Sequence, residues 1–199
     1  GIVEKLALQQ DPSVSQRARQ VLITDHRGVM SPAQTIVVEA QGSLDSSAFV
    51  ASGEDGGAKN GLLLSYLPDN PTAEQYFDTY KNVLLEAAKH KFKTVVLLCA
   101  GCGIAQNPNN PAMCSDAVFS AIMQTSDFFK EIRLINMDGF EQSSPMGCFL
   151  DKFKDFRDGK LKVYRSGAQG RNPAKPGNGN SASSTSGMMQ QPQMATGPS

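Results

Sequence analysis

The run Thr94–Cys99 (TVVLLC) constrains this chain most. It is continuous, rich in β-branched residues and without polar alternation. Such a run reads as a strand buried on both faces, as in a parallel or mixed sheet covered by helices. It ends in a small-residue turn, Ala100-Gly101-Cys102-Gly103-Ile104. Upstream, Gly61–Leu67 (GLLLSYL) lies between Asn60-Gly61 and Pro68-Asp69 and predicts a second buried strand. Between the two runs, Thr72-Ala73-Glu74-Gln75 fits a capping box. Tyr76, Phe77, Tyr80, Val83, Leu84 and Ala87 then give one apolar helical face, with Lys89, His90 and Lys91 suiting the dipole at its end.

The alternation continues downstream. A Pro/Asn-rich loop, Gln106–Pro111, leads to Ser115 as the N-cap of a helix over Asp116–Lys130, with Val118, Phe119, Ile122 and Phe129 on its apolar side. Ile132–Met137 (IRLINM) reads as the next strand, closed by Asp138-Gly139. Pro145 suits the first turn of a short helix carrying Met146, Phe149, Leu150, Phe153 and Phe156, and Gly159 is its stop. Leu161–Tyr164 reads as a peripheral strand. Strand–helix–strand–helix–strand is the βαβ pattern, so the expected class is an α/β sandwich. The first 60 residues are less patterned: Val21–Thr24 and Thr35–Glu39 read as short strands, and Gly42–Gly61 as a long loop.

The last segment differs in kind. Of the 34 residues 166–199, Gly, Ser, Pro, Asn and Gln make up 23, with no aromatic residue and no Leu, Ile or Val. Too little apolar surface is available to offset chain entropy, which predicts a disordered low-complexity tail after a domain over residues 1–165. The 19 basic and 19 acidic residues cancel, which excludes nucleic-acid binding through bulk charge. No run of ~18 apolar residues is present, so no membrane span is expected. The four cysteines are too sparse for a disulfide scaffold and suggest a reducing, intracellular setting. The chain opens on Gly1 rather than Met, as a piece of a longer protein would.

Chemistry concentrates at the turn after Thr94–Cys99. In open α/β sheets ligands bind beyond the carboxyl ends of strands, where glycines let backbone N–H groups approach a phosphate and a helix N-terminus adds positive charge. Gly101 and Gly103 occupy such a place, although glycine there equally serves a tight turn that binds nothing. Cys99 and Cys102 form a C-x-x-C, but Cys114 and Cys148 lie at spacings that match no standard zinc ribbon, so no metal is expected. Cys102 could alternatively be a hydrolase nucleophile with His26 or His90 as base. Lys152, Lys154, Arg157 and Lys160 alternate with Asp151, Asp155 and Asp158, as on a solvated helix face.

The stretch Gly103-Ile104-Ala105-Gln106-Asn107-Pro108 resembles the second phosphate-binding loop of macrodomains, and the neighbouring elements agree in order over about residues 61–142. Ala105 and Gln106 depart from that family's aromatic and glycine. Val38–Leu44 is a faint counterpart of its first binding loop, with Gly53-Glu54-Asp55-Gly56-Gly57 as a degenerate Gly-rich run. The resemblance implies a three-layer α/β/α sandwich with a mixed sheet. It implies ADP-ribose, free or on an ADP-ribosylated protein, as ligand, with no further cofactor. Backbone N–H groups of Gly101, Cys102, Gly103, Ile104 and Ala105, with Gln106 beside them, would cradle the diphosphate. Phe140 would pack on adenine or the distal ribose, and Asp138 would bond a ribose hydroxyl. Hydrolysis of the ADP-ribosyl bond is compatible with this, but no water-activating residue is identifiable. A scaffold whose nucleotide site has degenerated is the remaining alternative.

Overall fold

A computed structural model of the chain describes residues 7–48, 50–53, 59–98, 110–135 and 145–161. All fall within the first of two units, Gly1–Ser166. The predicted tail, 166–199, and the predicted strand beyond Leu161 lie outside the described residues. The class is mixed α/β, in the order α1 (Val14–His26), β1 (Thr35–Glu39), β2 (Gly61–Ser65), α2 (Ala73–Lys89), β3 (Thr94–Leu98), α3 (Asn110–Thr125), β4 (Glu131–Ile135) and α4 (Pro145–Arg157). Short 3₁₀ turns at Gly42–Ser46 and Ser126–Phe128 join these elements, and a helical turn at residues 7–10 precedes α1.

The strands form two pairs. β1 and β2 are antiparallel, in register from Thr35 opposite Ser65 to Glu39 opposite Gly61. β3 and β4 are parallel, from Thr94 opposite Glu131 to Leu98 opposite Ile135. A short extended segment links the pairs. Ala51 bridges Gly61 of β2, and Ser52 bridges Thr94 of β3, both antiparallel. β2 and β3 therefore run in the same direction.

Apolar packing separates into two clusters. Val95 and Leu97 alternate along β3 into the first, with Tyr76, Phe77 and Leu84 of α2 and Cys114, Val118 and Phe119 of α3. Full burial of each such large side chain contributes about 1.5–3 kcal/mol. Ala117, Ser120 and Ala121 are fully buried as well, and their small size allows the close approach of α2 and α3. The second cluster joins Ile36 and Val38 of β1 and Leu62 of β2 to Ala7 and Val14.

Two expectations are corrected. Val21–Thr24 is not a strand but part of α1. The β-branched window hides a wider helical stripe, since Val14, Ala18, Val21 and Leu22 all pack into the second cluster while Ile23 is 55% exposed. Likewise α3 begins at Asn110 rather than after Ser115, with Pro111 in its first turn, where a missing N–H costs nothing. Ser115 is inside the helix, and its hydroxyl donates to the Ala112 carbonyl at 2.9 Å instead of capping. That helix ends at Thr125, short of Lys130. By contrast α2 opens as its sequence predicts: Gln75 N–H donates to Thr72 Oγ1, and Thr72 N–H to Gln75 Oε1.

Candidate functional site

The parallel β3–β4 pair sets the frame. Leu98 and Ile135 are register partners at the carboxyl ends of their strands. The first segment, 99–109, joins the end of β3 to the start of α3. A strand's carboxyl end leading into a helix N-terminus is where anions are bound in open α/β sheets. Gly101, Cys102, Gly103, Ile104, Ala105 and Gln106 all belong to this segment, and Asp138 and Phe140 to the one after Ile135. These eight residues lie outside the described residues, as does Cys99.

The anchors of the first segment are held tightly. The Tyr80 hydroxyl, from α2, donates to the Leu98 carbonyl at the last residue of β3. The same oxygen is 3.1 Å from Cys114 Sγ on α3. One buried phenol thus ties the last residue of β3 to the first turns of α3. Sequence reasoning placed Tyr80 only on an apolar face; its hydroxyl was the signal, because a buried tyrosine oxygen requires a partner.

The other candidates are spread apart. His90 caps the end of α2, stacks on Phe92 with ring centroids 5.9 Å apart, and reaches Glu86 at 3.5 Å. It precedes β3 and so lies at the amino end of that strand, away from Leu98. The His26 Nδ1 is engaged by the Gln34 side-chain amide next to β1, the outer strand of the other pair. His90 is thus at the far end of β3 from Leu98, whereas Gln34, beside Thr35 and opposite the carboxyl end of β2, puts His26 toward the same end of the strands as Leu98. Cys114 is buried and Cys148 half-buried, and among the described residues no group of three or more His, Cys, Asp or Glu side chains could hold a metal ion. Lys154 and Arg157 of α4 pair with Asp151 and Asp158, and Lys152 reaches Asp116 of α3.

Val38–Leu44, the faint counterpart of a first binding loop, stands at the wrong end of the strands. Glu39 is opposite Gly61, the first residue of β2, and β2 runs with β3. This stretch therefore sits near the amino ends of β2 and β3, opposite Leu98 and Ile135. It forms a small polar depression with Lys59 and Asn60. A clamp holds it to α1: Arg17 donates to the Glu39 carbonyl at 2.9 Å, to Gln41 Oε1 at 3.2 Å and to the Asp11 carboxylate. The Arg17 hydrogen bonds, helped by the Ser13 hydroxyl, outweigh the burial of Asp11 and hold its carboxyl down to about 2.

No protein-family model matches the chain, and no curated protein matches it in sequence. Among the described residues no helix is long and apolar enough to cross a membrane.

Proposed function

We propose that the chain is a nucleotide-diphosphate-binding module of macrodomain type, a three-layer α/β/α sandwich that takes ADP-ribose, free or attached to protein. The supporting observation is the parallel β3–β4 pair with Leu98 opposite Ile135 and α3 starting at Asn110, four residues after Gln106. In this reading the N–H groups of Gly101 to Ala105 meet the diphosphate. The α3 N-terminus adds its partial positive charge, worth about 0.3–1 kcal/mol for an exposed anion. Asp138 and Phe140, leaving from the neighbouring strand, serve the ribose and the adenine. Recognition through main-chain groups explains how Ala105 and Gln106 can stand where the family has other side chains. The position of His90, at the amino end of β3, favours binding over a Cys102-dependent hydrolase that would use it as base.

Calorimetric titration of the full chain with ADP-ribose tests the reading, with AMP and ribose-5-phosphate as controls. Micromolar binding is expected, lost in Gly103→Glu and retained in Cys102→Ser. Absence of heat and of competition at millimolar ligand overturns it and leaves the interaction scaffold as the better account.

A further inference from the structure

We infer that β2 and β3 form the two walls of a slot one strand wide, which accepts an extended apolar peptide by pairing on both of its edges. The spacing is set by the chain itself. Ala51 exchanges hydrogen bonds with Gly61 at 2.8 and 2.9 Å, and its neighbour Ser52 exchanges them with Thr94, both at 3.0 Å. One extended segment therefore sits between the starts of β2 and β3, which holds them two strand spacings apart, roughly 9–10 Å. Beyond that point the segment leaves: Val50 N–H turns back to the Ser47 carbonyl, next to the 3₁₀ turn at Gly42–Ser46. Among the described residues no strand takes its place, since β2 pairs only with β1 and β3 only with β4 apart from these bridges.

The polar edges facing the slot follow from strand alternation. Asn60 and Tyr66 bond toward β1, whereas Gly61 bonds toward Ala51. With period two, the N–H and C=O groups of Leu63 and Ser65 point into the slot. On the other wall Thr94 bonds toward Ser52, so Val96 and the Leu98 N–H point inward as well. Two rows of backbone groups that find no partner among the described residues, facing each other across one strand width, define an occupant that is itself a strand. Its side chains must be apolar. The slot opens into a cleft of about 530 Å³ lined by Leu64, Val96 and Leu98, with Leu22 of α1 and Val83 of α2 among its walls. With Gly61 already paired to Ala51, the rest of β2, Leu62–Ser65, suits at most roughly four residues of peptide at about 3.3 Å each. The slot is independent of the nucleotide reading, which uses no edge of β2.

The test is fluorescence anisotropy of the full chain with a capped, labelled heptapeptide of alternating valine and alanine, beside the same peptide N-methylated at its valine amides. Saturable binding is expected for the first and a loss of at least about tenfold for the second. Residue-resolved hydrogen exchange should show added protection at Leu63, Ser65, Val96 and Leu98. Val96→Pro removes a slot-facing N–H and should abolish binding; should it unfold the chain, the comparison of the two peptides on the native protein carries the test. Equal binding of both peptides overturns the proposal in favour of a purely apolar cavity. Failure to bind also overturns it. Protection of those four amides already in the free chain overturns it as well, because the slot is then not open to a peptide.

Discussion

The Tyr80 oxygen and Cys114 Sγ stand 3.1 Å apart in the interface of α2 with α3. Because the single phenolic proton goes to the Leu98 carbonyl, the thiol is the donor to the Tyr80 oxygen. The contact is thus a short chain, thiol to phenol to strand end. Tyr80→Phe keeps the ring and removes the hydrogen bond to the Leu98 carbonyl and the contact with Cys114 Sγ. A loss of about 1–3 kcal/mol is expected in urea denaturation, with an unchanged slope. Cys114→Ala should cost less in the Tyr80→Phe background than in the native chain, and strict additivity of the two changes would refute the link.

The Arg17–Asp11 pair governs acid stability. Asp11 is only 6% exposed, and its folded-state carboxyl titrates at about 2 against an ordinary 3.8. A lowered acid pKa stabilises the fold fully above the unfolded value and is lost as pH falls toward the folded one. Its contribution therefore fades between about pH 4 and pH 2. Arg17→Met leaves the Asp11 carboxylate with its Ser13 bonds alone and should cost about 2 kcal/mol at neutral pH, at about 1.4 kcal/mol per pKa unit. The difference from the native chain should shrink in melts recorded at successively lower pH across that window. A constant difference would show that Arg17 acts by packing alone.

How far the fold could be read from sequence follows from the range of each signal. The Thr72–Gln75 box and the β2 and β3 runs are local and strong, and they are found where expected. Val21–Thr24 failed because four residues cannot separate period two from period 3.6; the stripe that settles it reaches back to Val14. Ser115 failed because Pro111 is an equally good helix opener and lies earlier. The Ala51–Ser52 bridges rest on contacts 10 and 42 residues distant along the chain, to Gly61 and Thr94, and no local pattern announces them. Of the candidate site, the two strands were legible and the start of α3 was not. The Tyr80–Leu98–Cys114 link was not, since it joins three elements that only the tertiary fold brings together.

Asp78 should be a destabilising charge at neutral pH. Burial raises its carboxyl above the usual value, and Glu74 one turn earlier adds to this, only partly offset by Lys81. For a raised acid pKa the folded state binds its proton more tightly than the unfolded one, so stability falls as pH rises through the unfolded and then the folded value. Asp78→Asn should accordingly raise the melting temperature at pH 7. At pH 3, below the ordinary carboxyl value, both states are largely protonated and the advantage should mostly vanish. An equal gain at both pH values would assign the effect to helix propensity instead.

Gly61 is the residue where β2, the Ala51 bridge and the Phe92 ring meet. A Cβ placed there would stand 2.8 Å from Phe92 Cζ and 3.0 Å from Val37 Cγ1. Phe92 is itself almost fully buried, in the cluster shared by α2 and α3, so its ring has little room to retreat. Gly61→Ala should therefore destabilise by about 1–3 kcal/mol through overpacking, the reverse of the gain expected where alanine merely replaces a flexible glycine. Phe92→Leu removes the ring atom that is struck. In the Phe92→Leu background the added methyl should cost clearly less than in the native chain, read as denaturation midpoints of the four variants. Undiminished cost would place the strain in the Val37 contact or in the Ala51 hydrogen bonds rather than at the ring.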